Sequence, residues 1–368
     1  MLKTLINFCA AYALAFAAHA ARSAGGWELV PIREEAEGLP ALSVIVPARN
    51  EALNVERCIR SLLGQRLRDF EVIAVDDRST DATPSILEGL AREDSRLRVV
   101  AGAPLPEGWV GKPWALHQGA ERARGAWLLF TDADSYHELN AEISILRYAL
   151  DKKVDAVSLA TGQELGSFWE RAVLPSILSI IVIGFANRPL ANGQYILVSR
   201  AAYEGLGGHA ALRGEIAEDI AFAKRLYADG RFRLRLATGA HLVRVRMYRS
   251  FSQIWEGFTK NIFVGAEGNV ARVALSVVSL AMLSIVPPSL ALVALRRGRK
   301  HAAIEALCCT LTTMVAAGRP FSAFGIPRRF GVYQPLGFAL LGAIMVNATF
   351  RVVSGRGIEW RGRRYPGR

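Results

Sequence analysis

Between residues 42 and 160 the chain repeats one pattern. Five short runs rich in β-branched and apolar residues, Leu42–Val46, Glu71–Val75, Leu97–Ala101, Ala126–Thr131 and Asp155–Ala160, each predict a strand. Between them, Ala52–Leu63, Ala82–Glu93, Pro113–Arg124 and Leu139–Leu150 carry apolar residues at helical spacing. Strand and helix in alternation predict an α/β domain whose mainly parallel sheet carries helices on both faces. No internal repeat or low-complexity tract interrupts it.

Both ends are greasier. Leu5–Ala21 is almost uncharged, with Lys3 before it and Arg22 after it. It has the length of a membrane span, and Ala18-His19-Ala20 also resembles a cleavage site. The chemistry argued below belongs in the cytosol, which selects an uncleaved anchor over residues 1–22. Towards the C-terminus, Val273–Leu295 is uncharged but broken by Pro287-Pro288. Ala302–Ala317, with the single charge Glu305, is marginal for spanning, whereas uncharged Gly331–Phe350 is long enough. Basic clusters flank them: Arg296, Arg297, Arg299 and Lys300, then Arg351, Arg356, Arg361, Arg363 and Arg364. Three full crossings cannot place both clusters and the α/β domain on the cytoplasmic side, so a re-entrant first segment is expected. The uncharged Val173–Ala186, which contains Pro175, is too short to span and reads as an interfacial or buried helix. The domains expected are an anchor (1–22), an α/β domain (23–265) and a membrane region with a basic tail (266–368).

Composition narrows the class. Of 368 residues 51% are hydrophobic and 21% charged, which excludes a disordered chain. The net charge of +12 would suit nucleic acid, but much of it flanks greasy segments and follows the positive-inside pattern, so no nucleic-acid partner is expected. Cys9, Cys58, Cys308 and Cys309 form no CxxC pair, which argues against a disulfide framework or zinc knuckle.

The chemistry sits where predicted strands end. Ligands of open α/β sheets bind beyond the carboxyl ends of the strands. Here the second strand runs into Asp76-Asp77 and the fourth into Asp132-Ala133-Asp134. Acids at such places can simply cap helices, as Asp81 and Thr83 are expected to do. Asp132 and Asp134, one residue apart after an apolar strand, suit instead a shared Mg²⁺ or Mn²⁺ with phosphate oxygens and water in its other places. The first turn, Pro47-Ala48-Arg49-Asn50-Glu51, has no glycine, so a dinucleotide fingerprint is absent. Gly111-Lys112 is no P-loop, the histidines lack metal spacing, and no GxSxG occurs. Glu218-Asp219 opens the helical run Ile220–Tyr227, where two acids complement the helix dipole or serve as a base. Arg231–Arg249 holds six arginines and no acid, and its alternation over Arg231–Leu236 predicts a strand with a basic edge.

Three motifs in order, Leu42-Ser-Val-Ile-Val-Pro-Ala-Arg-Asn-Glu51, Val75-Asp-Asp-Arg-Ser-Thr-Asp81 and Thr131-Asp-Ala-Asp-Ser135, resemble family 2 glycosyltransferases over about residues 40–265. Further stretches resemble its hopanoid- and carotenoid-associated branch: Pro104–Lys112, Ser167–Arg171, Met247–Ser250, Trp255–Phe258 and Glu359–Arg363. The resemblance implies a GT-A fold, inversion at the sugar, a nucleotide-sugar donor and a polyisoprenoid-type lipid acceptor. It implies that Pro47, Glu51 and Asp77 line the nucleotide pocket, with Asp77 taking a hydrogen bond from the base. Asp132 and Asp134 would sit over the diphosphate through the divalent metal, with Lys112 assisting. Asp219 would be the catalytic base, for which a carboxylate suffices. Arg246-Met-Tyr-Arg249 resembles the Q/RxxRW motif of processive synthases, yet Ser250 replaces the tryptophan, which argues against polymer synthesis; Arg249 would contact diphosphate. The expected protein is a multi-pass enzyme of the inner membrane with its catalytic domain facing the cytoplasm. The alternatives are a polyprenyl-phosphate glycosyltransferase, sharing the donor half, and a non-catalytic nucleotide-sugar or lipid binding protein, against which Asp132, Asp134 and Asp219 speak.

Overall fold

The computed structural model describes residues 1–23, 27–185, 189–265, 269–356, 358–360 and 363–365. The Ala186 end of the apolar stretch, the boundary at Ala266 and Arg361 lie outside them.

Helix α1 (Leu2–Ser23) precedes β1 (Glu28–Leu29) and the alternating unit. That unit runs β2 (Leu42–Ala48), α2 (Val55–Leu63), β3 (Phe70–Asp76), α3 (Thr83–Glu93), β4 (Leu97–Ala101), α4 (Gly111–Arg122), β5 (Trp127–Thr131), β6 (Ser135–His137), α5 (Ala141–Asp151) and β7 (Ala156–Ala160). Then come β8 (Gly162–Gln163), α6 (Phe168–Gly184), β9 (Tyr195–Ser199), α7 (Arg200–Gly205), α8 (Glu218–Asp229), β10 (Leu234–Thr238), β11 (Val243–Val245) and α9 (Phe251–Gly265). Every expected strand and helix of the unit is present within a few residues.

Eight strands form one sheet in the order β1-β10-β7-β9-β5-β2-β3-β4. All pairings are parallel except those of β9, which lies antiparallel between β5 and β7. The arrangement is the expected mainly parallel GT-A-like α/β sheet. The chain departs from β2 towards β3 and β4, then returns to the other side with β5. That reversal opens a crevice at the carboxyl ends of β2, β3 and β5. Strands β2 and β5 are buried along nearly their whole length, which explains their unbroken apolar runs. Helix α4 closes on this sheet through Gly119, where a Cβ would collide with Ile45, and so carries Lys112 to the crevice. The basic-edged strand begins later than its alternation predicts, at Leu234, leaving Arg231 and Arg233 outside it.

The apolar ends form helices α10 (Val270–Ser284), α11 (Val286–Arg296), α12 (Lys300–Ala317) and α13 (Gln334–Val353). Among the described residues three segments are long and apolar enough to cross a membrane: Leu2–Ser23, Lys300–Phe324 and Arg328–Val353. Thus the middle C-terminal stretch, marginal by sequence, lengthens into a candidate span. Helices α10 and α11 form a fourth, bent by 42°. The re-entrant turn expected there is not what packing shows. Tyr12 bonds Ser279, Cys9 packs near Met282, Val286 and Leu290, and Leu2 and Ile6 pack near Ala291 and Ala294. The pair therefore continues in one direction beside α1.

Proline explains the bend. Pro287 has no N–H to give the carbonyl of Leu283 four residues back. Thr313 Oγ1 (3.2 Å) and Gln334 Nε2 (3.2 Å), both wholly buried, donate to that carbonyl instead. The stretch around Pro175 becomes α6, capped by a reciprocal Ser167–Glu170 box and largely buried against α13.

Candidate active site

Two turns at the ends of β2 and β3 build one wall of the crevice. Asp77, buried, donates its N–H to the carbonyl of Ala48 at 2.7 Å, and Arg49 Nη1 donates to the carbonyl of Asp77 at 2.6 Å. Asn50 stands in the left-handed region (φ 53°), a conformation asparagine tolerates, and its Oδ1 accepts the N–H of Thr80 at 2.8 Å. Pro47, next to last in β2, pairs with Val75 of β3. Glu51 is buried; its N–H meets Thr83 Oγ1 at 2.8 Å and its Oε2 accepts from Asn54 Nδ2 at 2.8 Å. The expected caps of α3 are corrected here. Ala82 is the cap residue, Thr83 serves Glu51, and Asp81 accepts the N–H groups of Thr83 and Ala52. Arg249, just before α9, donates to Asn54 Oδ1 at 2.8 Å, so it reaches this wall through an asparagine.

The opposite wall is the Asp132-Ala133-Asp134 turn. Burial alternates along it: Ala133 is in the core while both aspartates are half-buried on its other side. Sequence alone set a divalent ion to neutralise them, having no cation nearby in the chain. In space Lys112 is there, its Nζ 2.7 Å from Asp132 Oδ1 and 2.9 Å from Glu218 Oε1. Burial works against the charge of Lys112, but Asp132 and Glu218 outweigh it and push its pKa up, so the ammonium stays charged.

This lysine joins the two acid pairs. Asp219 lies beside it in the first turn of α8, Oδ2 accepting the N–H of Gly193 at 2.9 Å and Oδ1 that of Ile220 at 2.8 Å. Burial, and then the charge of Glu218, push the Asp219 carboxyl up to about 6, with Lys112 opposing them. Glu218 moves the other way: despite burial, Lys112 holds it below the usual range. Behind the pair is a small hollow lined by Leu116, Phe130, Ile196, Phe222 and His209. Burial pushes His209 down to about 3, so no second cation stands there. Two neighbouring acids with divergent pKa values, in a crevice at strand ends, have the character of an acid–base site.

Lys260 of α9 also feels Glu218, Asp132 and Asp219, and its burial lowers its pKa. As one lysine on a mostly apolar helix, it carries no signal of its own in the sequence. The Gly193 amide was equally hidden, although Asn192-Gly193 is a turn signal.

Among the described residues no group of three or more His, Cys, Asp or Glu side chains could hold a metal. Two carboxylates on one turn fit a hard cation that takes its remaining ligands from phosphate and water.

A GT-A-like sheet with paired carboxylates at its switch point and a second acid pair across the crevice has the architecture of a glycosyltransferase. Residues 43–202 match the family model described as Glycosyl transferase family 2. The chain is a glycosyltransferase whose residues 43–202 resemble family 2. Among curated relatives, the 4,4'-diaponeurosporenoate glycosyltransferases of Staphylococcus aureus strains MRSA252 and USA300 are each 26% identical over 353 residues, covering 88% of this chain and 88% of theirs. Among solved structures, a mannosyltransferase from Pyrobaculum calidifontis in complex with GDP-Man and Mn²⁺ superposes with a TM-score of 0.53 at 19% identity. It covers 95% of this chain and 98% of its own, which supports the fold.

Proposed function

We propose that this protein is a membrane-seated, inverting glycosyltransferase that moves a hexosyl group from a nucleotide-sugar to a polyisoprenoid-type lipid. The observation that carries the reading is Lys112, which joins the Asp132 turn to the Glu218-Asp219 pair and so brings donor-side and acceptor-side acids to one centre. Pro47, Glu51 and Asp77 form the nucleoside wall, and Arg249 bears on it through Asn54. Asp132 and Asp134 hold a divalent cation, Mg²⁺ or Mn²⁺, which when bound neutralises charge on the departing nucleoside diphosphate. Lys112 supplies a second positive charge to that leaving group, where charge grows as the bond breaks. Asp219, held by two backbone amides with Lys112 nearby, takes the proton of the acceptor hydroxyl or carboxyl group.

The acceptor assignment rests on the relatives, whose name specifies a carotenoid acid, and on the candidate spans beside the catalytic domain. A cytoplasm-facing catalytic domain in the inner membrane completes the reading.

The test uses membranes containing the full chain and a panel of labelled UDP- and GDP-hexoses. Label should enter the organic phase after extraction, and EDTA should abolish it. Asp134→Asn should weaken metal and donor binding together. Label confined to water-soluble products would sink the lipid acceptor, and full turnover in EDTA would remove the metal.

A further inference from the structure

Beneath the two acid pairs runs a row of buried polar groups that the chemistry above does not use. It starts at Glu142, 1% exposed in the first turn of α5, whose Oε1 accepts from His137 Nδ1 at 2.7 Å. With that proton on Nδ1, Nε2 is the accepting nitrogen. Ser135 Oγ, 2.8 Å away, donates to it, and Thr131 Oγ1 packs 3.3 Å from the same nitrogen and 3.2 Å from Ser135 Oγ without giving the ring a proton. Thr131 and Ser135 are the residues that bracket Asp132-Ala133-Asp134.

From there the row crosses to the acceptor side. The Thr131 hydroxyl donates to the carbonyl of Gln194 at 2.9 Å. Gln194 Oε1 accepts from Thr161 at 2.5 Å, Gln163 at 3.2 Å and Asn192 at 3.3 Å. These bonds hold the Asn192–Tyr195 turn, whose Gly193 N–H grips Asp219 Oδ2. One end of the row thus fixes the donor-side turn and the other the base.

Apolar side chains could fill this space without the cost of desolvating Glu, His, Thr and Gln together. What a hydrogen-bonded polar network adds is a single geometry, even with Glu142 Oε2 buried without a partner. We propose that His137, oriented by Glu142, is a positioning residue that sets the spacing between the Asp132–Asp134 turn and Asp219 through Thr131 and the Gly193 turn. The proposal rests on Asp219 acting as the base. In-line displacement is sensitive to such spacing, since a misplacement of about 1 Å can cost about 10²-fold in rate.

The experiment measures kcat, donor KM and the unfolding midpoint of the full-length enzyme in membranes, using whichever labelled nucleotide-hexose it turns over. Thr131→Val keeps the shape and removes the hydroxyl. It should lower kcat about tenfold or more with donor KM within about threefold, as lost alignment rather than lost binding requires. Thr131→Ser should restore kcat to within about threefold, because it returns the hydroxyl. A double-mutant cycle follows: in an Asp219→Asn background, His137→Gln should cost far less than it does alone, since both act on one step. Serine no better than valine, an unchanged kcat in Thr131→Val, or fully multiplicative effects in the cycle would each overturn the proposal. If His137→Gln fails to fold, the Thr131 pair decides. Wild-type kcat in Asp219→Asn would instead sink the base assignment, a separate failure.

Discussion

Asp219 is a stronger base than an exposed aspartate because it is half-buried beside Glu218, with Lys112 and the amides of Gly193 and Ile220 drawing its pKa only part of the way back. A base must be deprotonated, so kcat/KM should fall as pH drops through about 6, and Asp219→Asn should remove that limb along with about a hundredfold or more of the rate. The same raised pKa means the folded protein binds an extra proton between its two values, so Asp219 contributes stability that grows as pH falls from about 6 towards 3.8. Lys112→Met deletes the main opposing charge. Its acidic limb should therefore move to higher pH, and turnover should drop by about 10²-fold, the order seen when one preorganised group facing a developing anion is removed. A pH–rate profile of both variants checks this; an unmoved limb in Lys112→Met would separate the lysine from the base. At this scale the sequence was informative where chemistry and position coincide. Acids directly after an apolar strand, or paired at a helix start, are visible in one dimension. Lys260, the Gly193 amide and the His137–Glu142 pair were not, because their meaning arises only when distant segments meet.

Elements followed the apolar pattern closely wherever a run was bounded by turn residues, which is why β2 to β5 and α2 to α5 emerged almost residue for residue. Strand β9 did not. Tyr195–Ser199 is a short apolar run close behind a long apolar helix, and only pairing with β5 and β7 identifies it. Two prolines gave away the break between α10 and α11, but the direction taken afterwards depends on packing against α1. One inter-element tie invites a stability test. Glu170, wholly buried in the first turn of α6, meets Arg246 at 3.0 Å beyond the end of β11. Although burial would raise its pKa, Arg246 and Ser167 hold it below the usual carboxylate range. Arg246→Ala should cost about 3 kcal/mol, because it strands a buried charge. In the wild type the tie should be lost as pH falls through that lowered value. Denaturant unfolding in detergent measures both, and Glu170→Gln should be milder than Arg246→Ala.

The whole molecule is a catalytic sheet joined to a helical layer by shared apolar surface. Helices α6 and α9 bury Ala172, Leu174, Ile177, Ile254 and Phe258 against Phe338, Leu341 and Ile344 of α13. A chain truncated at residue 265 would expose that face, so it should aggregate in water, whereas the full chain should resist carbonate extraction from membranes. Sedimentation after carbonate treatment distinguishes the two. The carbonyl of Leu283, freed by Pro287, is gripped by Thr313 from α12 and Gln334 from α13. Three helices are thus bolted together at the one place where a bent rod would otherwise flex. Gln334→Leu should loosen this joint at a cost of about 1–3 kcal/mol for a poorly satisfied buried carbonyl. With the joint intact the helices form a stiff pedestal rather than a spring, and a proline builds in the bend of the pedestal that carries the catalytic domain.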